Sequence, residues 1–305
     1  HWEFLVGYWI FDCSFQVQKP AVEEENGDFG FAKTRNPIHN PHPQIQYREV
    51  TMSPAVAPVN KSAFKWPHGV RGAISLTFDD SRPSQVEVGV PLFNRFGVRA
   101  TFYVQPNSLR LKLDAWRKAV AAGHEAGAHT MTHPCTCNFS FSGAGLEDMT
   151  LDDMEKEILE SNAQIEELVG VRPSTFAYPC GQKFVGRGEE LRSYVPLIAR
   201  HYLAGRGWRD EYFNAPDRCD MAQLSGIEFD GADFEQVRPQ IEAAAKTGNW
   251  LVLAGHDIGA DRRGQMTKTA TLEAICAYCR DPANGVWLDT VAAVAAHVRK
   301  ARGPG

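Results

Sequence analysis

Three observations predict an α/β protein built on a parallel sheet of about seven strands, and at this length one α/β barrel is as plausible as two ordinary domains. From about Arg71 onward, short runs rich in β-branched and aromatic residues alternate with helical patterns, as in successive βαβ units. The strand candidates are apolar throughout rather than alternating, as expected of strands covered on both faces. Acidic residues and histidines stand just after several of them, at the carboxyl ends where such barrels collect their functional groups.

The first strand is GAISLTFDD, beginning at Gly72 and ending in two acids, and a helix from Val86 to Phe96 follows, closed by Gly97. ATFYVQ is a second strand, Leu113 to Ala126 a second helix, and GAHT, ending at Thr130, a short third strand. Thr150 offers an N-cap with Asp153 three residues on. Met154, Ile158, Ile165 and Leu168 then form a helical stripe that Gly170 ends. STFAYP, HYLAGR and WLVLAGHD read as further strands, and VWLDT leads into a last amphipathic helix through His297.

Residues 1–65 do not share this rhythm and are expected to form an irregular N-terminal extension packing on a barrel domain of residues 66–305. They are aromatic at first (Trp2, Phe4, Tyr8, Trp9, Phe11) and then rich in Pro, Asn and Gly. The aromatics are expected to pack against the parent domain rather than form a sugar-stacking surface. His39 and His42 fit a Pro-rich loop better than a metal site.

Composition narrows the function. The 305 residues are 43% hydrophobic and 23% charged, enough to bury a large core, and the net charge is −5 with no stripe of Lys and Arg. Electrostatics therefore argue against a nucleic-acid partner. The longest apolar runs, such as Trp250 to Ala254 and Val291 to Val298, are too short to span a bilayer. A chain that starts at His1 is expected to be either a mature secreted form or a piece of something longer, which places it in the secreted or periplasmic space ahead of the cytoplasm.

The seven cysteines, Cys13, Cys135, Cys137, Cys180, Cys219, Cys276 and Cys279, are odd in number and unevenly spaced, unlike a disulfide framework. Cys276 and Cys279 read as small buried helix residues rather than zinc ligands. Cys135 and Cys137 read as loop thiols, with a bridge or an extra ligand as the alternative.

The chemistry lies in an ensemble. Asp79 and Asp80 follow an apolar strand, and in extended backbone their side chains diverge, so one can hold a metal while the other faces a substrate water. His129 and His133, four apart in HTMTHP, would present two imidazoles on one face if the segment turned helical. Two His and one carboxylate leave positions open for water and substrate. The loop YPCG and then His256 complete the set.

TFDD, HTMTHP, FAYPCG and LVLAGHDIG, in that order and at these distances, resemble the polysaccharide deacetylase family with the NodB homology domain, carbohydrate esterase family 4. The likeness spans roughly Arg71 to Ala301. It implies a distorted (β/α) barrel of about seven strands, with Asp79 as catalytic base and Asp80, His129 and His133 as ligands of a divalent metal, zinc first and cobalt, nickel or manganese after it. It further implies His256 as the general acid, the backbone N–H of Cys180 as oxyanion donor, and Tyr178, Pro179, Gly181, Trp208 and Leu253 around the substrate, with Trp250 as a further candidate for the apolar pocket. The implied partner is an N-acetylated glycan, with no nucleic acid and no membrane span.

Two departures stand out. Ala177 occupies the place of the family's base-orienting Arg, so Arg206 is the first substitute and Arg172 the second. No carboxylate partner for His256 stands out among Asp210, Asp217 and Asp220. Two other activities suit the same motifs, hydrolysis of an O-acetyl ester or of a small amide. A carbohydrate-binding barrel without turnover is the reading from a different class.

Overall fold

The computed structural model describes residues 64–139, 141, 145–260 and 264–303. Trp2 to Phe11, Cys13, His39 and His42 lie outside them. The chain divides into His1–Pro58 and Val59–Gly305, and the second unit holds every described residue.

The strands of the main sheet are β1 (Gly72–Asp79), β2 (Thr101–Val104), β3 (Glu125–Ala128), β4 (Thr175–Ala177), β5 (Ala204–Arg206), β6 (Ile227–Glu228), β7 (Trp250–Gly255) and β8 (Val286–Leu288). Seven run in the order β5-β4-β3-β2-β1-β7-β6, and every pairing is parallel. The eighth fills in beside β1, which pairs with β8 at Gly72–Ile74 and with β2 at Thr77–Asp79. The lead-in to β6 bridges to β5, where Leu224 N donates to Gly205 O at 2.7 Å and Gly207 N to Leu224 O at 2.7 Å. The two ends of the sheet thereby meet, giving the distorted barrel that the family resemblance implies.

Both β1 and β7 are buried along their whole length, which is why they read as apolar runs. One core, around Phe78, Phe93, Phe102 and Trp116, lies on one side of β1, and a second, around Trp66, Trp250, Val291 and Val298, on the other. Phe64 and Trp66 pack edge to face at 4.8 Å, and the Trp66 ring stacks on His297 at 6.0 Å.

The helix Leu151–Val169 starts at a capping box between Thr150 and Asp153 and ends at Gly170, whose φ of 77° suits a residue without Cβ. The helix over 85–96 opens with a wide π turn, Gln85–Gly89, before becoming α-helical at Val90–Phe96. Pro91 lacks the N–H that a continuous α-helix would require there.

The second helix is shorter than the sequence suggests, covering Leu113–Ala121. Gly123, at φ 91°, breaks it, and Glu125 already belongs to β3. The half-buried Glu125 carboxylate accepts from Thr101 Oγ1 at 2.8 Å and from Ala292 N at 2.9 Å, tying β2 to the last helix, Val291–Arg302.

The cysteine expectation fails at one point. Cys135 and Cys180 form a disulfide across 45 residues, rather than remaining loop thiols or involving Cys137. The two loops that carry them meet only through the barrel, so sequence spacing gave no sign of the pair. Cys276 and Cys279 are buried in the helix Thr269–Arg280, as expected. Among the described residues, no helix is long and apolar enough to cross a membrane.

Candidate active site

The carboxyl ends of β1, β3, β4, β5 and β7 open on one cavity of about 620 Å³, lined by Asp79, Asp80, His129, His133, Cys180, Trp208 and His256, with Arg82, Gln105, Phe139, Phe141, Arg209 and Gln265. Among the described residues, seven non-glycine positions have positive φ, and six of them (Asp80, Ser81, Thr130, His133, Cys180 and Arg209) lie in the loops around this cavity. Such backbone persists only where its surroundings enforce it.

Asp79 ends β1 and is buried. The fully buried Arg206, at the end of β5, donates from Nη2 to Asp79 Oδ1 and from Nη1 to Gly207 O at 2.8 Å. The guanidinium sits 4.9 Å from the centre of the Tyr103 ring. Burial alone would raise the Asp79 pKa, but the positive charge of Arg206, with His129 and His256 behind it, holds the carboxyl below its usual range. Arg172 pairs instead with exposed Glu166 at 3.3 Å.

Asp80 turns out of the strand at φ 76°, so its carboxylate diverges from that of Asp79. Its Oδ1 lies 3.6 Å from His129 Nε2 and 3.6 Å from His133 Nε2. His129 donates from Nδ1 to Ala177 O at 2.9 Å, which fixes the ring orientation and turns Nε2 toward Asp80. Burial, and then the neighbouring His129, pushes the His133 pKa down to about 4, keeping that ring neutral as a metal ligand must be. These residues fit a divalent ion by donor type, orientation and charge.

The two imidazoles do not meet on a helical turn, as the spacing suggested. The segment after β3 is a bend with Thr130 at φ 60° and His133 at φ 56°. Thr130 Oγ1 accepts from His133 N at 3.0 Å. Glu157, on the helix Leu151–Val169, accepts from Met131 N and Thr132 N at 2.9 Å each. A remote carboxylate thus replaces helical hydrogen bonding.

His256 follows β7, and its Nδ1 lies 2.8 Å from Asp230 Oδ2, while its backbone N donates to Asp230 Oδ1 at 3.2 Å. The three acids among which no partner stood out are engaged elsewhere or exposed. Asp210 accepts from Gly226 N at 2.9 Å, Asp220 caps Ala222 N at 2.9 Å, and Asp217 is exposed. Thr267 Oγ1 also donates to Asp230, at 2.7 Å.

Arg82 is a residue that sequence reasoning missed. It donates from Nη2 to Asp80 Oδ2 at 2.9 Å and to Gln265 Oε1 at 2.7 Å, and from Nη1 to Asp257 Oδ2 at 2.8 Å. Arg82 therefore engages one oxygen of Asp80 while the other faces the histidines. A base two residues beyond an acid pair was the only sequence signal.

The residues expected around substrate divide into two groups. Trp208 lines the cavity and meets the His256 ring edge to face at 4.8 Å. Gly181, at φ 69°, makes room for it, since a Cβ there would lie 3.0 Å from Trp208 Cβ. Tyr178 and Pro179 are buried beneath the loop, with Tyr178 Oη donating to Ala222 O at 2.6 Å. Leu253 and Trp250 lie in the core, off the cavity.

Residues 68–192 match the family model described as polysaccharide deacetylase. That span holds Asp79, Asp80, His129, His133 and Cys180, whereas Arg206, Asp230 and His256 reach the cavity through later strands. A gellan lyase from Bacillus sp is 32% identical over 142 residues, which are 47% of this chain and 5% of that one. The peptidoglycan-N-acetylglucosamine deacetylase PgdA of Listeria monocytogenes is 28% identical over 126 residues, 41% of this chain and 24% of its own length. The chain thus spans less than a third of the length of these relatives. A crystal structure from Mycobacterium smegmatis, assigned by name to the polysaccharide deacetylases, aligns with a TM-score of 0.54 at 20% identity over 77% of this chain and 93% of that one, a likeness of fold.

Proposed function

This chain belongs to the polysaccharide deacetylase family, and from that premise we propose that it removes the acetyl group from the N-acetylated sugars of a glycan, as a metal-dependent amide hydrolase. The observation that carries the reading is the arrangement of Asp80 Oδ1 between two imidazole Nε2 atoms at 3.6 Å each, with the buried Asp79 beside it and His256 on the same cavity.

Asp80, His129 and His133 would hold the ion. When bound, a divalent ion, zinc first, supplies Lewis-acid polarisation of the acetyl carbonyl and makes water a better nucleophile at neutral pH. Asp79, oriented by Arg206, takes the proton of the attacking water. The Cys180 backbone N–H would donate to the oxyanion as the carbonyl becomes tetrahedral. His256, oriented through Nδ1 by Asp230, delivers a proton from Nε2 to the departing amine nitrogen. Trp208 walls the cavity beside His256 and limits water there.

The test is acetate release from N-acetylglucosamine oligomers by chelator-stripped protein, with and without zinc, beside an O-acetylated xylan control. Zinc-dependent acetate from the amide is the expected result. Acetate from the ester alone would overturn the amide assignment, and release from neither substrate would overturn turnover on these glycans.

A further inference from the structure

The Cys135–Cys180 disulfide joins the loop after β3 to the loop after β4, and His133 stands against it from the other side. His133 uses its two ring nitrogens in opposite directions, with Nε2 toward Asp80 and Nδ1 3.7 Å from Cys135 Sγ. One potential ligand atom from each of His133, Cys135 and Cys180 lies within 4.8 Å of the others. The two Cα atoms are 6.1 Å apart. Two sulfurs bound to one tetrahedral ion at about 2.3 Å each stand roughly 3.8 Å from one another, a separation this backbone spacing accommodates once the bond is open.

We propose that this cluster is a second metal site, present only when the disulfide is reduced, in which Cys135 Sγ, Cys180 Sγ and His133 Nδ1 take a thiophilic divalent cation. Cys180 lines the cavity, whereas Cys135 is fully buried, so an external dithiol attacks Cys180 Sγ and Cys135 leaves as thiolate. The second thiol of the reductant then displaces Cys180. The reductant becomes a disulfide, and its two electrons reside on the two cysteine sulfurs. Two thiolates and one neutral imidazole balance the charge of a divalent ion and leave its fourth position to solvent; because a neutral imidazole has one lone pair, an ion on His133 Nδ1 leaves the ring proton on Nε2 and excludes His133 from the Asp80 and His129 set. The soft sulfurs distinguish this site from the carboxylate and imidazole set on the other face of His133.

The test uses the full chain carrying C13S, C137S and C219S, which removes Cys13 and the exposed and half-exposed free thiols among the described residues, while Cys276 and Cys279 stay buried in their helix. One sample is kept oxidised. The other is reduced with a dithiol, freed of it by anaerobic gel filtration, and checked by counting accessible thiols. Both are titrated with Cd²⁺ and followed by thiolate-to-cadmium absorption in the near ultraviolet.

The reduced protein is expected to develop that band, saturating at one cadmium per two new thiols, with none in the oxidised protein. C135S and C180S are each expected to lose it. A reduced protein with both thiols counted but no band would overturn the proposal, as would a band that persists in either serine variant. The carboxylate and imidazole site contributes no thiolate band in either sample, so its failure or success reads separately in the cadmium taken up by the oxidised protein.

Discussion

Arg206, from the end of β5, and Asp79, from the end of β1, form an ion pair buried at the floor of the cavity, 127 residues apart in sequence. The pair supplies what Ala177 lacks, because the guanidinium reaches Asp79 from the strand next to β4 rather than from β4 itself. Arg206→Met keeps the bulk and removes the charge. It is expected to cost about 3–5 kcal/mol of stability, since breaking a buried pair strands the remaining charge. Without Arg206, burial raises the Asp79 pKa, so Asp79 reaches its deprotonated form only at higher pH and the acid limb of kcat/KM moves upward. R206K is expected to restore part of both effects. Denaturant midpoints and a pH–rate profile check this, and an unmoved acid limb in R206M would count against the orienting role.

The two adjacent acids are expected to fail differently. Asp79→Asn should lower turnover by roughly 10²–10⁴-fold, the usual contribution of a general base, with metal content unchanged. Asp80→Asn should lower metal affinity first, because Oδ1 is the oxygen that faces both imidazoles. Metal analysis after dialysis separates the two. Full metal with lost activity in both variants would contradict the division of roles.

Asp230→Asn is nearly isosteric and tests the His256 contact. The amide can still accept from Thr267 and from the His256 backbone, but it no longer holds Nδ1–H with a full negative charge. Turnover is expected to fall by roughly 10²-fold or more with little change in metal content, since general acid catalysis contributes about 10²–10⁴. Unchanged kcat would leave Asp230 a structural bracket only.

Much of this was legible in the sequence because it is local. The capping box at Thr150, the acid pair after β1 and the order of the motifs each lie within a few consecutive residues. What escaped lies across strands. Asp230, the Cys135–Cys180 bond and Glu157 under the histidine loop become neighbours only when the sheet order β4-β3-β2-β1-β7-β6 is known. The helical turn expected between His129 and His133 failed for the same reason, as the Glu157 carboxylate on another element satisfies the backbone that a helix would have satisfied itself.

His124 gives a pH test independent of the cavity. It is 4% exposed, between the rings of Phe93 and Phe102 at 6.1 and 5.7 Å. Ala100 N donates to its Nδ1 at 3.2 Å, an arrangement that only the neutral ring makes. Burial, with the charge of Arg99 beside it, lowers its pKa from 6.5 to about 4. The unfolded chain therefore binds a proton near pH 6.5 that the folded chain refuses until about pH 4, and stability falls as pH drops through that window. The loss amounts to roughly 3 kcal/mol at 1.36 kcal/mol per unit. His124→Gln, which offers Ala100 an uncharged acceptor, should be less stable than the parent at pH 7.5, with the gap closing toward pH 5. Denaturant midpoints on chelator-stripped protein check it, so that no metal is lost during the titration. A gap that stays constant between pH 7.5 and 5 would mean that the ring takes up its proton as readily in the folded state as in the unfolded one.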